Sequence, residues 1–256
     1  MALCLVGSEM CIRDSNRSGK FALKFADGDN DNLVSVRPAT DSDHVVLVSA
    51  SGNACRFMPA EEKTRISPET GESVTTYVVR VQGRISQGVS GMKLSGNDKV
   101  IGMIVTDDFD TSVLTISKYG MAKRSRLGSG EMLPLTEGGT PIVDESGDQV
   151  FERDGYRKTN RGTKGVRTMS LRDGDEIVGV RQIPDLDDQL FMLTGSGMMI
   201  RMVSGQTKET LGKVTKGTRI MELRNRDRTG YEDEIVFVAR LPSELISAGE
   251  TLGEEG

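Results

Sequence analysis

An all-β chain of propeller-like, four-stranded blades is predicted by three observations. A strand motif recurs four times, a hairpin motif follows its first three copies, and the chain is rich in turn-forming glycine, with 30 in 256 residues. The strand motif reads Gly, three residues, an apolar residue, one residue, then Leu or Phe. Its copies are Gly19-Lys-Phe-Ala-Leu23-Lys-Phe25, Gly88-Val-Ser-Gly-Met92-Lys-Leu94, Gly165-Val-Arg-Thr-Met169-Ser-Leu171 and Gly217-Thr-Arg-Ile-Met221-Glu-Leu223. Each ends in the period-two alternation of a half-buried strand.

An acidic residue and an aliphatic run follow each copy: Asp31 with Leu33-Val34, Asp98 with Val100-Ile101, Asp175 with Ile177-Val178, and Asp233 with Ile235-Val236. An acid ahead of an apolar run marks a turn into a second strand. The hairpin motif comes next. It reads Ser or Thr, two residues, Gly, three residues, Arg, as in Ser49 to Arg56, Ser117 to Arg124 and Thr194 to Arg201. Apolar runs precede it at Val45 to Val48, Val113 to Ile116 and Leu190 to Leu193. Its glycine supplies the left-handed residue of a short hairpin loop.

Each repeat therefore offers about four short strands, and the repeats fall near 16–60, 81–127, 156–206 and 213–245. The leading glycines are 69, 77 and 52 residues apart. The two longer intervals hold polar stretches, 61–73 and 128–154, read as surface loops. The first 15 residues, MALCLVGSEMCIRDS, share nothing with the repeats and lack the basic start of a signal peptide; they read as a non-native leader. The array is expected over 16–245, the chain being a piece of a longer protein, and 246–256 reads as a solvated acidic tail.

Several functions are disfavoured. Three cysteines, Cys4, Cys11 and Cys55, give neither a disulfide framework nor zinc spacing. His44 is the lone histidine and reads as structural. Cys55 reads as a small core residue, and Met198-Met199 as hairpin packing. Gly19-Lys20 lacks the spacing of a phosphate loop, and the stretch from Asp27 to Asp31 lacks the downstream Glu of a calcium loop. No run approaches the 18 apolar residues or more of a membrane span. Aromatics are 4% of the chain, too few for a surface that stacks single-stranded bases.

The charge is −5 overall, yet it is segregated. Lys118, Lys123, Arg124 and Arg126 lie in one acid-free stretch, and Arg157, Lys158, Arg161, Lys164 and Arg167 in another. Arg201, Lys208, Lys213, Lys216 and Arg219 form a third cluster around Glu209 alone. Residues 222–256 hold nine acids against four bases, which by itself accounts for the net −5. Cations at matching places in successive blades would form a belt that neutralises phosphates and releases counterions. These residues, with Arg56, are the candidate duplex-DNA contacts. The hairpin arginines, Arg56, Arg124 and Arg201, fit a structural role equally well, capping strand ends or covering apolar surface with their stems.

At these repeats the sequence resembles the C-terminal domain of the DNA gyrase A subunit. The stretches that carry the resemblance are GKFALKFADGD (19–29), SKYGMAKRS (117–125), YRKTNRGTKGVRTM (156–169), LRDGDEIVGV (171–180) and LTGSGMMIRM (193–202). The resemblance spans 16 to about 245. It implies a β-pinwheel, a six-bladed propeller variant whose blades exchange strands, with about four blades here. It also implies sequence-independent binding and wrapping of double-stranded DNA, in support of ATP-dependent negative supercoiling. The implied partners are the remainder of the gyrase A subunit, together with the gyrase B subunit. ATP and magnesium belong to that assembly and not to this chain, and the implied location is the bacterial cytoplasm, at the nucleoid.

The family's catalytic tyrosine lies in the N-terminal part of the full-length protein. None of Tyr77, Tyr119, Tyr156 or Tyr231 has a matching context, so no catalytic role carries over. The family's marker heptapeptide, Gln-Arg-Arg-Gly-Gly-Lys-Gly, is absent; Thr159 to Gly165 matches it at four of seven positions. The related C-terminal domain of the topoisomerase IV A subunit, and a propeller-like protein-interaction platform, are the alternatives.

Overall fold

Where a β-branched or aliphatic run meets the Ser/Thr-x-x-Gly turn, the chain doubles back on itself. In the computed structural model, which describes residue 25 and residues 31–66, 71–83, 86–210, 215–223 and 233–246, all three hairpin motifs do so. β1 (His44–Ser49) turns into β2 (Asn53–Phe57), and a ribbon of β3 (Glu62–Ile66) and β4 (Ser73–Tyr77) follows. β5 (Val100–Thr106) leads to the second hairpin, β6 (Ser112–Ser117) and β7 (Met121–Arg126). A second ribbon holds β8 (Met132–Pro134), β9 (Thr136–Glu137), β10 (Thr140–Pro141) and β11 (Phe151–Arg153). Then come β12 (Val166–Arg167), β13 (Ile177–Ile183), the third hairpin of β14 (Gln189–Thr194) and β15 (Met199–Val203), β16 (Thr218–Arg219) and β17 (Ile235–Leu241). The hairpin glycines, Gly52, Gly120 and Gly197, have φ of +81°, +80° and +85°, which other residues adopt only with strain. The leader 1–15, the first six residues of the first strand motif, Lys213 and residues 247–256 of the tail lie outside the described residues.

Among the described residues, none of the three sheets built on a hairpin motif comes from one repeat. The first sheet has the order β12-β2-β1-β5, and the second β13-β6-β7-β16. In both, the central hairpin comes from one repeat. The inner strand, β5 or β13, is the second strand of the next repeat. The outer strand, β12 or β16, is the leading strand of the repeat after that. Among the described residues the third sheet, β15-β14-β17, has its hairpin and its inner strand only. Met198 and Met199, at the turn into β15, are exposed and do not pack within the hairpin as expected. All three inner strands carry the same register shift near one end, at Val48/Ser49, Ile177/Gly179 and Leu193/Thr194. The four sequence repeats thus make three sheets among the described residues, because the fourth repeat gives its strands to earlier hairpins and has no hairpin motif of its own.

The two polar intervals are surface features, but ribbons rather than loops. β3 pairs with β4, with Thr64 and Thr75 hydroxyls 3.0 Å apart across the strands. β8 pairs with β11 and β9 with β10. Their threonines and valines suit a pleated surface even when it is exposed, and this outweighed the Gly-rich, charged composition on which the loop reading rested.

The strands pack into three layers of core. Val46, Val48, Ala54 and Ile104 of the first sheet meet Val113, Met121, Ile177 and Val180 of the second. Leu114, Ile116, Ala122 and Ile183 on the second sheet's other face meet Leu190, Met192, Ile235 and Val238 of the third. β6 is consequently buried along its whole length, since both faces have a neighbour, whereas β14 alternates between buried and half-buried. Val45, Cys55, Phe57 and Met92 form the third cluster, on the outer face of the first sheet. Cys55 is fully buried, as its place in a hairpin strand predicts.

The repeated acid joins consecutive repeats. Asp98 accepts from the Ser51 amide (2.9 Å) and hydroxyl (2.6 Å) in the preceding hairpin turn. Asp175 accepts from the Tyr119 amide (3.2 Å), and Asp233 from the Ser196 amide (3.0 Å) and hydroxyl. Partial burial pushes the Asp98 and Asp233 carboxyls up, but these hydrogen bonds outweigh it and hold both below the ordinary value. Solvent near these turns limits each acid to about 1 kcal/mol. Asp98→Ala and Asp233→Ala are expected to lower stability by about that much each, and additively in the double variant because the turns share no partner. Since the folded carboxyls titrate below the unfolded value, this stability is present above about pH 4 and is lost as pH falls through the folded value. Denaturant melts of wild type and double variant at neutral and acid pH should therefore converge on acidification.

Candidate nucleic-acid interface

The leading strands are the outermost strands of their sheets, and their cations sit in register. Lys164-Gly165-Val166-Arg167 and Lys216-Gly217-Thr218-Arg219 repeat the pattern Lys-Gly-x-Arg. Val166 lies opposite Ala54 and Arg167 opposite Asn53; Thr218 lies opposite Ala122 and Arg219 opposite Met121. Gly165 and Gly217 both have φ of +74°, and an added Cβ would come within 2.0 Å of the Ala54 carbonyl oxygen or 2.2 Å of that of Ala122. Glycine is required there to lay the edge strand on the hairpin, and the flanking Lys and Arg are left exposed. The same outer edge thus presents Lys164 and Arg167 on one sheet and Lys216 and Arg219 on the next.

Near this edge, Arg157 is exposed, Lys158 is exposed at 3.8 Å from Glu131, and Lys208 is exposed. An open cavity of about 360 Å³ between the first and second sheets is lined by Lys123, Arg126, Arg153, Arg157 and Arg167, with Glu152 its one acid. Arg126 is exposed but donates to Asp110 (2.7 Å) and lies 3.8 Å from Asp154. Arg153, which also donates to the Gly130 carbonyl (2.7 Å), was not among the sequence candidates. It lies in the polar interval, where only the pairing of β8 with β11 brings it to the cavity, and no local pattern marks it.

The other candidates lie elsewhere. Lys118 is half-buried, 3.9 Å from Glu234 and over the Tyr119 ring. Arg161 donates to the carbonyls of Val78 (3.0 Å) and Ser90 (2.6 Å), fastening the loop before β12 to the segments beside it. Lys213 falls outside the described residues.

Three candidates are interior, and for these the belt gives way to structure. Arg56 is 1% exposed. It donates to the carbonyls of Leu127 (3.0 Å), Gly128 (2.8 Å) and Tyr156 (2.9 Å), and through Nε to His44 Nδ1 (3.2 Å). Burial pushes this guanidinium down to about 10. Arg124 is buried too. It donates to the Thr207 carbonyl (2.9 Å), the Ser112 hydroxyl (3.2 Å) and Glu209 (2.8 Å). Lys123 is buried and donates to the Thr168 carbonyl (2.6 Å) of the neighbouring sheet's leading segment, and burial pushes it down to about 8.

The hairpin arginines follow one rule. Each reaches across to the first residue of its own hairpin, His44, Ser112 or Gln189. Arg56 and Arg124 then continue to the segment that follows the next hairpin. Arg201 has no next hairpin among the described residues and stays exposed over the Phe191 ring. His44 is confirmed as structural: it accepts from Arg56, stands edge-on to Phe109 at 5.0 Å, and is pushed down to about 4 by burial and by Arg56. Tyr156 is buried against Thr168, and burial pushes its hydroxyl up to about 12.

Comparison with known proteins places this architecture. The family model described as "DNA gyrase C-terminal domain, beta-propeller" matches residues 73–107, 150–184 and 188–229. The DNA gyrase A subunit of Rickettsia prowazekii is 29% identical over 266 aligned residues, covering 93% of this chain and 26% of that protein. The DNA gyrase A subunit of Mycobacterium leprae is 30% identical, covering 91% of this chain and 14% of that protein. The chain spans about a quarter of the length of the first of these relatives. A crystal structure of the C-terminal domain of DNA topoisomerase IV superposes with a TM-score of 0.60 at 16% identity, covering 89% of this chain and 57% of that one. The fold is therefore that of the β-pinwheel domains.

The hairpin-arginine rule makes a stability prediction. Arg56→Met leaves the Gly128 and Tyr156 carbonyls without this donor, the Leu127 carbonyl still accepting from the Tyr156 amide, and should cost at least about 2 kcal/mol. Arg56→Lys should recover little of this, because one ammonium cannot serve both the carbonyls that Nη1 reaches and the His44 ring that Nε reaches. Arg201→Met, at the same hairpin position but exposed, should fall within about 0.5 kcal/mol of wild type. Chemical denaturation of the three variants checks the ordering.

Proposed function

Because this chain is related to the C-terminal domain of the DNA gyrase A subunit, we propose that it binds duplex DNA without sequence preference along the outer edges of its sheets, and bends it. The observation that carries this reading is the pair of Lys-Gly-x-Arg edges at one register on consecutive sheets. A duplex laid across them meets two cations per sheet, with Arg157, Lys158 and Lys208 beside the path. Contacts of this kind hold the phosphate backbone and carry no base readout. The glycine between the cations also lets the duplex approach the main chain closely.

Bending a duplex over ~20–30 bp costs a few kcal/mol, and new phosphate contacts at each sheet offset it. In the parent protein this bend would present a wrapped segment for strand passage. On this reading the chain works in a type II topoisomerase, joined to the rest of the gyrase A subunit and acting with the gyrase B subunit, in an assembly where ATP and magnesium act. An enzyme acting on the chromosome works in the bacterial cytoplasm. Proposed contacts are Lys164, Arg167, Lys216 and Arg219, flanked by Arg126, Arg157, Lys158 and Lys208. Lys118, Arg161 and Arg201 are peripheral, and Lys213 keeps its place on sequence alone.

The test is binding to linear duplex DNA over a salt titration, with wild type and the variant Lys164→Gln/Arg167→Gln/Lys216→Gln/Arg219→Gln. The logarithm of the binding constant should fall linearly with log salt. The variant's slope should be shallower by about 1 per phosphate contact removed, with circular dichroism unchanged. An identical slope would move the interface off these edges. Salt-independent or absent binding by folded wild type would favour the protein-interaction platform instead.

A further inference from the structure

The inner strands lie at the sheet ends opposite the leading strands, and their free edges converge on one cavity. β5, β13 and β17 each end their sheet, with no strand beyond them among the described residues. Two glycines bring these strands together. A Cβ at Gly102 on β5 would lie 3.2 Å from Val180 Cβ on β13, and one at Gly179 on β13 would lie 2.7 Å from Val238 Cγ2 on β17. Beside these contacts opens a cavity of about 630 Å³. Its wall holds residues 101–105 of β5, 180–182 of β13, 239 and 240 of β17, and 34, 35 and 37 of the segment before β1. Runs of consecutive lining residues show that the cavity follows strand edges rather than a face of one sheet, since successive side chains point to opposite faces. Alternate main-chain amides of such an edge point away from its one strand partner.

The charged residues of this wall are all arginines: Arg37, Arg181 and Arg240, with no acid among the lining residues. Arg181 on β13 donates to the carbonyls of Val180 (2.7 Å) and of Val238 on β17. Arg240 on β17 donates in return to the Gln182 carbonyl on β13 (3.1 Å). These bonds hold two guanidiniums in place between neighbouring sheets. They take only some of the five N–H donors that each guanidinium has, and they leave its charge uncompensated. Arg240 has an acid behind it, with Nε 3.4 Å from Asp188. Arg181 has the reverse: burial, and then the like charge of Arg37, push its guanidinium down. Among the described residues no acid pairs with Arg37 or Arg181. With Asp188 set against Arg240, two positive charges face the cavity without a counter-charge.

We propose that this cavity binds a small organic phosphate, its dianionic head between Arg37 and Arg181 and its apolar or heterocyclic body along β5. A phosphate ester carries about two negative charges near neutral pH, which matches the two uncompensated cations. Guanidinium forks suit phosphate oxygens, and Ser35 adds a neutral donor to the wall. Met103 and Val105 of β5 with Ala239 of β17 give the body an apolar surface. The volume falls in the range of about 300–1,000 Å³ typical of sites that enclose a small molecule, and a duplex would not enter it. The site is separate from the basic outer edges. Across a four-stranded sheet the inner and outer strands are three spacings apart, about 14 Å.

The experiment is calorimetric titration of the full chain, at about pH 8 and fixed ionic strength, with two probes. Phenyl phosphate is a dianion under these conditions, and benzenesulfonate is a monoanion of similar size. Phenyl phosphate should bind at least about tenfold more tightly than benzenesulfonate, and Arg37→Gln should weaken it by about tenfold or more, the loss of one charge-assisted contact. Arg37 is exposed, so the variant keeps its fold, which circular dichroism checks. The variant Lys164→Gln/Arg167→Gln/Lys216→Gln/Arg219→Gln should bind phenyl phosphate as wild type does. Saturating phenyl phosphate should leave duplex-DNA binding unchanged at the same ionic strength. Those two arms keep this site distinguishable from the outer edges. No binding of phenyl phosphate by folded wild type would overturn the proposal, and so would equal affinity in Arg37→Gln or equal affinity for the two probes. Loss of phenyl phosphate binding in the edge variant, or displacement of duplex by the probe, would put the anion on the outer edges and overturn it as well.

Discussion

Everything in this structure depends on the fact that no repeat completes its own sheet. A hairpin motif yields two strands, and in the first two sheets the other two arrive from the next repeat and the one after it. The polar groups of each hairpin turn are satisfied by donors and acceptors that lie far along the chain: Asp98 on Ser51, the Thr168 amide on the Gly52 carbonyl, and the Ile177 amide on the Ala50 carbonyl. A buried backbone group must find a partner, so a hairpin cannot settle before its later neighbours do. The apolar layers obey the same constraint, since Val113 and Leu114, adjacent on β6, serve two different inter-sheet cores.

This constraint also sorts the cations. An arginine on a hairpin's return strand becomes internal as soon as another hairpin follows, and it then donates to groups of the segment beyond that hairpin, as Arg56 does to the Leu127, Gly128 and Tyr156 carbonyls and Arg124 to the Thr207 carbonyl and Glu209. A lysine or arginine on a leading strand arrives last, at the outermost position, and stays exposed. Arg124 and Arg167 both come from acid-free basic stretches, but the first is held inside on the Thr207 carbonyl and Glu209 while the second faces solvent. Lys123 stands between these cases. It faces the cavity lined by Arg126, Arg157 and Arg167, yet its ammonium is held on the Thr168 carbonyl. Its burial is tolerable because that acceptor compensates part of the lost hydration.

The sequence made the hairpins legible because their signal is local: an aliphatic run, a turn glycine and an alternating return strand. It made the repeat legible because three motifs recur in fixed order. It could not show which sheet each strand joins, since strand exchange is a long-range choice that leaves no mark on periodicity. The hairpin arginines stayed ambiguous for that reason. Their burial is decided by Leu127, Tyr156 and Thr207, which lie 71, 100 and 83 residues away from their donors. The polar intervals misled in the opposite direction, because charge and glycine outweighed Thr64, Val74, Thr75 and Thr76 of β3 and β4 and Thr136 and Thr140 of β9 and β10.

Composition gave the weakest guidance of all, and the structure explains why. A chain with net charge −5 is a poor polyanion ligand if its charge is spread evenly. Here several of the described acids are tied to turns, as Asp98, Asp175 and Asp233 are, and Glu209 is set against the interior Arg124. The leading strands carry Lys and Arg in the four residues from Lys164 and from Lys216, with no acid among them. Electrostatic steering of DNA depends on the field within about a Debye length of the contact, ~8–10 Å, and not on the sum over the chain. On the proposed reading, the edge that a leading strand forms is the part of the molecule whose charge a duplex would sense. Strand exchange, by delivering that strand last and outermost, turns a net-acidic chain into one with basic edges.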